Sequence, residues 1–171
     1  LMGKDYSGKG FAAISLGLLG DKAGARALQQ AFKEISDPSN RSAAAIGLGM
    51  LKDESSAMNL LSQIQLSRDA KIRGYCCVAL GMMESKQAIP EMRRILTKEK
   101  NPELRAAAAI ALANMSDPEG MEILRKALDD KNAYLKMTTA LALGYFRDDK
   151  VVPDITKAFA TEKNNEVRAI M

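Results

Sequence analysis

The chain has 171 residues, of which 47% are hydrophobic and 27% charged, with a formal net charge of +4. These proportions are typical of a globular protein and argue against disorder. The longest apolar runs fall well short of the roughly 20 residues needed to cross a bilayer, so we expect no membrane segment. The mild positive charge permits a polyanionic partner but does not require one.

An alanine- and leucine-rich motif recurs five times, and its copies align on one anchor position. The anchors, Gly17, Gly49, Gly81, Ala113 and Gly144, are 32, 32, 32 and 31 residues apart. Eight residues before each anchor stands a long cation: Lys9, Arg41, Arg73, Arg105 and Lys136. A fixed period of this length is typical of repeat proteins.

The first half of each repeat predicts a helix, which we call helix A. Asp and Asn are good N-caps and precede each cation by four residues, at Asp5, Asp37, Asp69, Asn101, Asn132 and Asn164. Pro38 and Pro102 suit the first helical position. Helix A is apolar nearly all round, which requires packing between neighbours. In the second copy, we expect Arg41 to reach a neighbour's cap or carbonyl group, and Gly49 to mark the passage into the second helix.

The second half of each repeat predicts helix B, which has one apolar stripe and charges opposite. N-cap types stand four residues after each anchor, at Asp21, Asp53, Ser85, Asp117 and Asp148. Apolar pairs follow on one helical face: Leu28/Phe32, Leu60/Ile64, Met92/Leu96, Leu124/Leu128 and Ile155/Phe159. Two such helices per repeat predict an all-α fold, an α-solenoid.

The segment NPELRAAAAIALANMSDPEGMEILRKALDD, residues 101–130, resembles a HEAT repeat of the short, phycobilisome-lyase-like type. The resemblance covers essentially the whole chain and implies a right-handed superhelix. We expect one domain, 1–171, with repeats at 5–36, 37–68, 69–100, 101–131 and 132–163 and a partial sixth at 164–171. Neither end carries a polar capping repeat, so we expect an excerpt of a longer array.

The inventory of reactive residues argues against an enzyme. Histidine is absent, which removes the commonest general base and metal ligand. The resembled family includes di-iron hydroxylases that depend on His-Glu pairs, and this sequence has none. The aspartates after each helix A recur with the fold, so capping explains them. We therefore expect no catalytic residue, metal or cofactor.

Two neighbouring cysteines, Cys76 and Cys77, cannot form an ordinary disulfide framework. Alanine or threonine fills their positions in the other repeats, so we expect them to pack as small apolar residues. A reducing, cytoplasmic compartment is slightly favoured, and the compartment is otherwise open.

Helix B carries the one pattern that the fold does not require. Twelve and thirteen residues after the anchors lie five cations, here called the basic ladder: Arg93, Arg94, Arg125, Lys126 and Lys157. The resemblance places B helices on a concave surface, where the ladder would attract an acidic partner. The alternative is a solvated face neutralised by nearby acids: Glu91, Glu122, Asp129 and Asp154.

Three functions follow from this pattern. The first is a non-enzymatic protein-interaction scaffold that binds a protein or peptide through the ladder, with Met58 and Leu61 as apolar anchors. The second is backbone-dominated nucleic-acid binding through the same cations, which would weaken steeply with salt. Aromatic residues for base stacking are few, because Phe32 and Phe159 are assigned to the core. The third, implied by the resemblance alone, is handling of a bilin chromophore.

Overall fold

The computed structural model describes residues 6–145, 149–165 and 168 of the chain. Within these residues the regular structure is entirely helical, which confirms the predicted all-α solenoid of two-helix repeats. The α-helices in chain order are α1 Tyr6–Leu19, α2 Ala25–Glu34, α3 Pro38–Met50, α4 Ala57–Leu66, α5 Ala70–Met82, α6 Ile89–Lys98, α7 Pro102–Asn114, α8 Pro118–Ala127, α9 Ala133–Tyr145 and α10 Val152–Thr161.

The odd-numbered helices are the predicted A helices, and their starts agree with the sequence. Four predicted caps accept backbone N–H groups of the first helical turn: Asp37, Asp69, Asn101 and Asn132. Pro38 and Pro102 occupy the first helical position, as predicted. The predicted caps Asp5 and Asp148 lie outside the described residues.

The even-numbered helices are the predicted B helices. A short 3₁₀ turn precedes four of them, at Lys22–Gly24, Glu54–Ser56, Lys86–Ala88 and Asp149–Val151. Helix α8 instead begins directly after Asp117, whose carboxylate accepts the Gly120 N–H at 2.7 Å. Asp117 therefore caps helix B as predicted, and Asp21 caps the 3₁₀ turn before α2 by accepting the Ala23 N–H. The sequence did not predict the extra 3₁₀ turns.

The connection between helix A and helix B differs from the prediction. Gly49 does not form the passage, because it lies inside α3. The left-handed residue comes three positions later, at Lys52 with φ 50°, and Glu84 and Ser116 repeat it with φ 56° and 49°. Such φ values are uncommon for residues other than glycine, so the residue types at these three positions do not indicate the turn. In the first repeat a glycine, Gly20, holds the equivalent position with φ 71°.

Glycine has a packing role between A helices. A Cβ added at Gly49 would lie 2.8 Å from the Cα of Ala79 on α5, and one added at Gly47 would lie 2.6 Å from the carbonyl oxygen of Ala13 on α1. Both distances are shorter than a carbon atom tolerates. The close approach of α3 to α1 and α5 therefore requires glycine at these two positions.

The chain divides into two compact units, Leu1–Ala88 and Ile89–Met171. In the first, here the N-terminal unit, α3 packs between α1 and α5, and the B helices α2 and α4 lie against α3 and α5. In the second, the C-terminal unit, α7 packs on α9, and α6 packs on α7. Each unit thus has its own layer of A helices covered by B helices.

The predicted apolar stripe of helix B is buried in four repeats: Leu28, Phe32, Leu60, Ile64, Met92, Leu96, Leu124 and Leu128. The fifth pair departs from the prediction. Ile155 is partly exposed and Phe159 is 47% exposed, so the core assignment of Phe159 was wrong. In the first repeat, α3 packs on α2 and places its Arg41 over the ring of Phe32. The segment equivalent to α3 that follows α10 is 164–171, of which the structure describes residues 164, 165 and 168.

Candidate functional site

The recurring cation of helix A binds the preceding helix B. The Nε atoms of Arg41, Arg73 and Arg105 donate to the carbonyl oxygens of Phe32, Ile64 and Leu96 at 2.8, 2.8 and 2.9 Å. Since the C-terminal turn of a helix leaves carbonyl groups without an intrahelical partner, a cation there is favourable. The expectation that Arg41 reaches a neighbouring carbonyl group is confirmed.

In the fourth and fifth repeats, the same cation also binds a carboxylate from its own repeat. Arg105 Nη2 lies 2.7 Å from Asp130 Oδ2, and Lys136 Nζ pairs with Glu162. Both acids stand two residues before the next N-cap, whose backbone N–H they accept at 2.8 Å. Burial opposes ionisation of Asp130, but the Asn132 N–H and Arg105 outweigh it and lower its pKa. The hydrogen bond from Lys136 likewise lowers the pKa of Glu162.

Arg93, the first residue of the basic ladder, links two repeats of the C-terminal unit. Its Nε and Nη2 atoms each lie 2.7 Å from an oxygen of Asp117, and its Nη1 pairs with Glu119. Hydrogen bonding between Arg93 and Asp117 raises the pKa of Arg93 and is the largest cause of the lowered pKa of Asp117. Arg93 therefore stabilises the start of α8.

The next three ladder cations also have acidic neighbours. Arg94 pairs with Glu91 at 2.7 Å, and Arg125 with Glu122 at 3.3 Å. Asp154 lies 3.8 Å from Arg125, and Lys126 lies 3.9 Å from Glu122. The neutralising acids named from the sequence are thus placed beside the ladder, and the fourth of them, Asp129, lines one surface pocket with Arg125 and Lys126.

Lys157 and the two apolar anchors are accessible. Lys157 is exposed on α10, and the described residues show no ion pair for it. Met58 is 60% exposed and Leu61 is half-buried on α4. The anchors belong to the N-terminal unit and the ladder to the C-terminal unit.

Sequence reasoning missed a polar link that Gln29 makes in the N-terminal unit. Its amide donates to Asp53 at 2.7 Å and to Ser55 at 2.9 Å. The spacing of 24 residues is the same as between Arg93 and Asp117. Burial alone would raise the pKa of Asp53, but hydrogen bonds from Ser56, Gln29 and Ser55 lower it. The shared spacing is the sequence signal that could have identified both links.

A groove of about 880 Å³ lies along α2 and α4. Its lining is polar: α2 contributes Arg26, Gln30 and Lys33, and α4 contributes Asn59, Ser62 and Gln63. Arg41 lies at its edge from α3. Three cations line this groove against one carboxylate, that of Glu34, which accepts hydrogen bonds from the Gln30 amide at 3.2 Å.

The sequence matches the HEAT repeats family over residues 57–135 and 94–171, more than half of the chain. The chain belongs to the HEAT-repeat family. Among solved structures, it is similar to the complex of CpcE and CpcF of phycocyanin lyase from Nostoc sp. PCC7120, with a TM-score of 0.71 and 19% identity over 99% of this chain and 71% of that chain. Human deoxyhypusine hydroxylase in complex with glycerol is similar with a TM-score of 0.45 and 20% identity, over 99% of this chain and 67% of that chain. The first similarity concerns the fold alone. No curated protein gives a significant sequence match.

Within these HEAT repeats, the two cysteines are the candidate reactive side chains, and both lie in the packed core. Neither Cys76 nor Cys77 forms a disulfide; both are fully buried in α5, and burial raises the pKa of Cys76 to about 12. A thiol in this state is a poor nucleophile because the thiolate is the reactive form. The described residues contain no cluster of three or more His, Cys, Asp or Glu side chains arranged to hold a metal ion.

None of the helices in residues 6–145 or 149–165 is both long and apolar enough to span a lipid bilayer.

Proposed function

We propose that this HEAT-repeat chain is a non-enzymatic scaffold that binds another protein through the exposed faces of its B helices. The observation that carries the proposal is the different use of the two helices. On helix A, small residues, caps and the recurring cation are engaged in packing the repeats. On helix B, the outer face presents accessible side chains and, along α2 and α4, a polar groove.

Two further observations support a protein partner. Repeat stacks create extended surfaces suited to binding other proteins. The phycocyanin lyase structure that shares this fold is itself a complex of two proteins, CpcE and CpcF. Because four ladder cations have acidic neighbours, less positive charge is available to a nucleic-acid backbone, and we favour protein over nucleic acid.

The proposal is tested by selecting binders for the purified 171-residue chain from a random-peptide display library. Selected peptides are then measured against charge-reversal variants on helix B, Lys33→Glu and Lys157→Glu, and against Lys71→Glu on helix A as the control. Lys71 is exposed and donates to Ser39 at 3.0 Å, at the start of α3. We expect weaker binding for at least one helix B variant and little change for the control.

The selection also has outcomes that contradict the proposal. Failure to enrich any peptide, or equal binding by all three variants, would argue against recognition through helix B. Salt-sensitive binding of a duplex or single-stranded oligonucleotide would favour the nucleic-acid alternative. A shift in the absorbance spectrum of an added bilin would favour chromophore handling.

A further inference from the structure

Arg41 is anchored through one side of its guanidinium. Its Nε donates to the Phe32 carbonyl at 2.8 Å, and its guanidinium carbon lies 5.0 Å from the centre of the Phe32 ring. The side chain is half-buried and lies at the edge of the α2–α4 groove. Both contacts hold the guanidinium in place and leave its two Nη groups without a carboxylate from the described residues.

The fourth and fifth repeats show what this side of the cation can bind. Arg105 holds Asp130 and Lys136 holds Glu162, in each case an acid two residues before the next N-cap. In the second repeat that place is taken by Ser67, which stands two residues before the cap Asp69. The Ser67 hydroxyl accepts the Asp69 N–H at 3.1 Å, as Asp130 and Glu162 do for their own caps. Ser67 thus keeps the backbone contact of these acids but lacks their carboxylate.

The groove beside Arg41 adds to this positive site. Arg26 and Lys33 are exposed along its wall, whereas its one carboxylate, Glu34, accepts hydrogen bonds from Gln30. The amides of Asn59 and Gln63 can donate to and accept from the backbone of an extended peptide. The lining therefore complements an acidic segment in both charge and hydrogen bonding.

We infer that Arg41 receives an aspartate or glutamate side chain of a partner protein, bound in the α2–α4 groove where the fourth and fifth repeats supply their own carboxylate. The inference rests on the proposed function and names its partner class, an acidic peptide segment. Carboxylate is favoured over phosphate because the equivalent cations, Arg105 and Lys136, hold carboxylates. A planar guanidinium can bind a carboxylate through two parallel hydrogen bonds.

Ser67→Glu tests this inference without removing Arg41. It restores the acid found in the fourth and fifth repeats, so the new carboxylate should occupy Arg41 and exclude the partner's. Ser67→Gln is the matched control, because it has the same length and no charge. The probe is a short acetylated peptide of alternating serine and glutamate. Binding is followed by fluorescence anisotropy and by the NMR signal of the Arg41 Nε–H during a titration to millimolar peptide.

We expect the glutamate peptide to shift the Arg41 signal and to bind Ser67→Glu about tenfold more weakly than the unchanged chain, as loss of one charge-assisted contact predicts. Ser67→Gln should retain the affinity. An equal melting temperature, or a higher one, shows that Ser67→Glu is folded. A glutamine version of the peptide should bind about tenfold more weakly than the glutamate version.

Three results would overturn the inference: no shift of the Arg41 signal, unchanged affinity in Ser67→Glu, or equally strong competition by inorganic phosphate or an oligonucleotide. Failure of this inference can be distinguished from failure of the proposed function. Library-selected peptides that depend on helix B but still bind Ser67→Glu would leave the scaffold proposal standing and remove only the role of Arg41.

Discussion

Two hydrogen bonds of 2.7 Å join the guanidinium of Arg93, on α6, to the carboxylate of Asp117, which begins α8. The same carboxylate accepts the Gly120 N–H at 2.7 Å. Asp117 is 7% exposed, so it caps α8 and binds Arg93 of the preceding B helix, α6, in a largely water-free position. A residue that the sequence places in a partner-binding ladder is thus also part of the repeat interface.

Replacing Asp117 should therefore cost more stability than replacing an isolated cap. Asp117→Ala removes the cap and the partner of Arg93, and we expect a loss of at least about 1–2 kcal/mol in the free energy of unfolding. Asp117→Asn keeps a capping oxygen and should lose less. Asp21→Ala is the control, since Asp21 is exposed and accepts the Ala23 N–H at 2.9 Å. Urea denaturation measures all three, and equal losses for Asp117→Ala and Asp21→Ala would contradict the link.

The acid stability of the chain should depend on the same pair. The pKa of Asp117 is lowered in the folded state, chiefly by the hydrogen bond from Arg93. A lowered pKa contributes stability that is complete above the unfolded-state value of about 4 and is lost as pH falls through the folded-state value. The free energy of unfolding should therefore decrease as the solution is acidified below about pH 5, and less so in Asp117→Asn. Identical pH profiles for the two proteins would show that Asp117 makes no such contribution.

Two glycines at the same repeat position should respond oppositely to alanine. Gly49→Ala places a Cβ 2.8 Å from the Ala79 Cα, so we expect a loss of about 1–3 kcal/mol. Among the residues that the structure describes, no atom lies within 4 Å of a Cβ added at Gly144, and Gly144→Ala should leave stability unchanged or raise it by up to about 1 kcal/mol through helix propensity. Thermal unfolding of both variants checks this, and a stabilising Gly49→Ala would contradict the close approach of α3 and α5.

Cys76 should resist alkylation in the folded chain. Burial raises its pKa to about 12 from an ordinary value of 9.0, which lowers the thiolate fraction about a thousandfold at neutral pH. Cys77 is equally buried. Iodoacetamide labelling followed by mass spectrometry should modify both cysteines in urea and neither under native conditions. Native labelling at the rate seen in urea would place a reactive thiol on α5.

The sequence was sufficient for the features that repeat with a strict period. The caps Asp37 and Asn101 with their following prolines located the A helices, because capping depends on a few local residues. The Arg93–Asp117 link was missed because its one sequence signal, the 24-residue spacing that it shares with Gln29–Asp53, is recognisable only once the relative placement of the two helices is considered. As a result, the sequence pattern indicated an accessible ladder residue at Arg93, whereas Arg93 forms ion pairs with Asp117 and Glu119.

Other features left no local signal. Lys52 adopts a left-handed conformation that its side chain does not favour, at the end of α3, where the next residue, Asp53, donates its N–H back to the Leu48 carbonyl at 3.1 Å. The lack of an acidic residue opposite Arg41 is recognised only by comparing repeats, because Ser67 is an ordinary turn residue until it is aligned with Asp130 and Glu162. Internal repeats make that comparison available within one chain.

Amide hydrogen exchange of the full chain, with and without a selected peptide, tests the central claim most directly. If the B helices are the recognition surface, the peptide should slow exchange in α2 and α4, residues Ala25–Glu34 and Ala57–Leu66. The A helices α3 and α5 should exchange at similar rates in both states. Protection confined to the A helices, with α2 and α4 unchanged, would contradict protein binding through helix B.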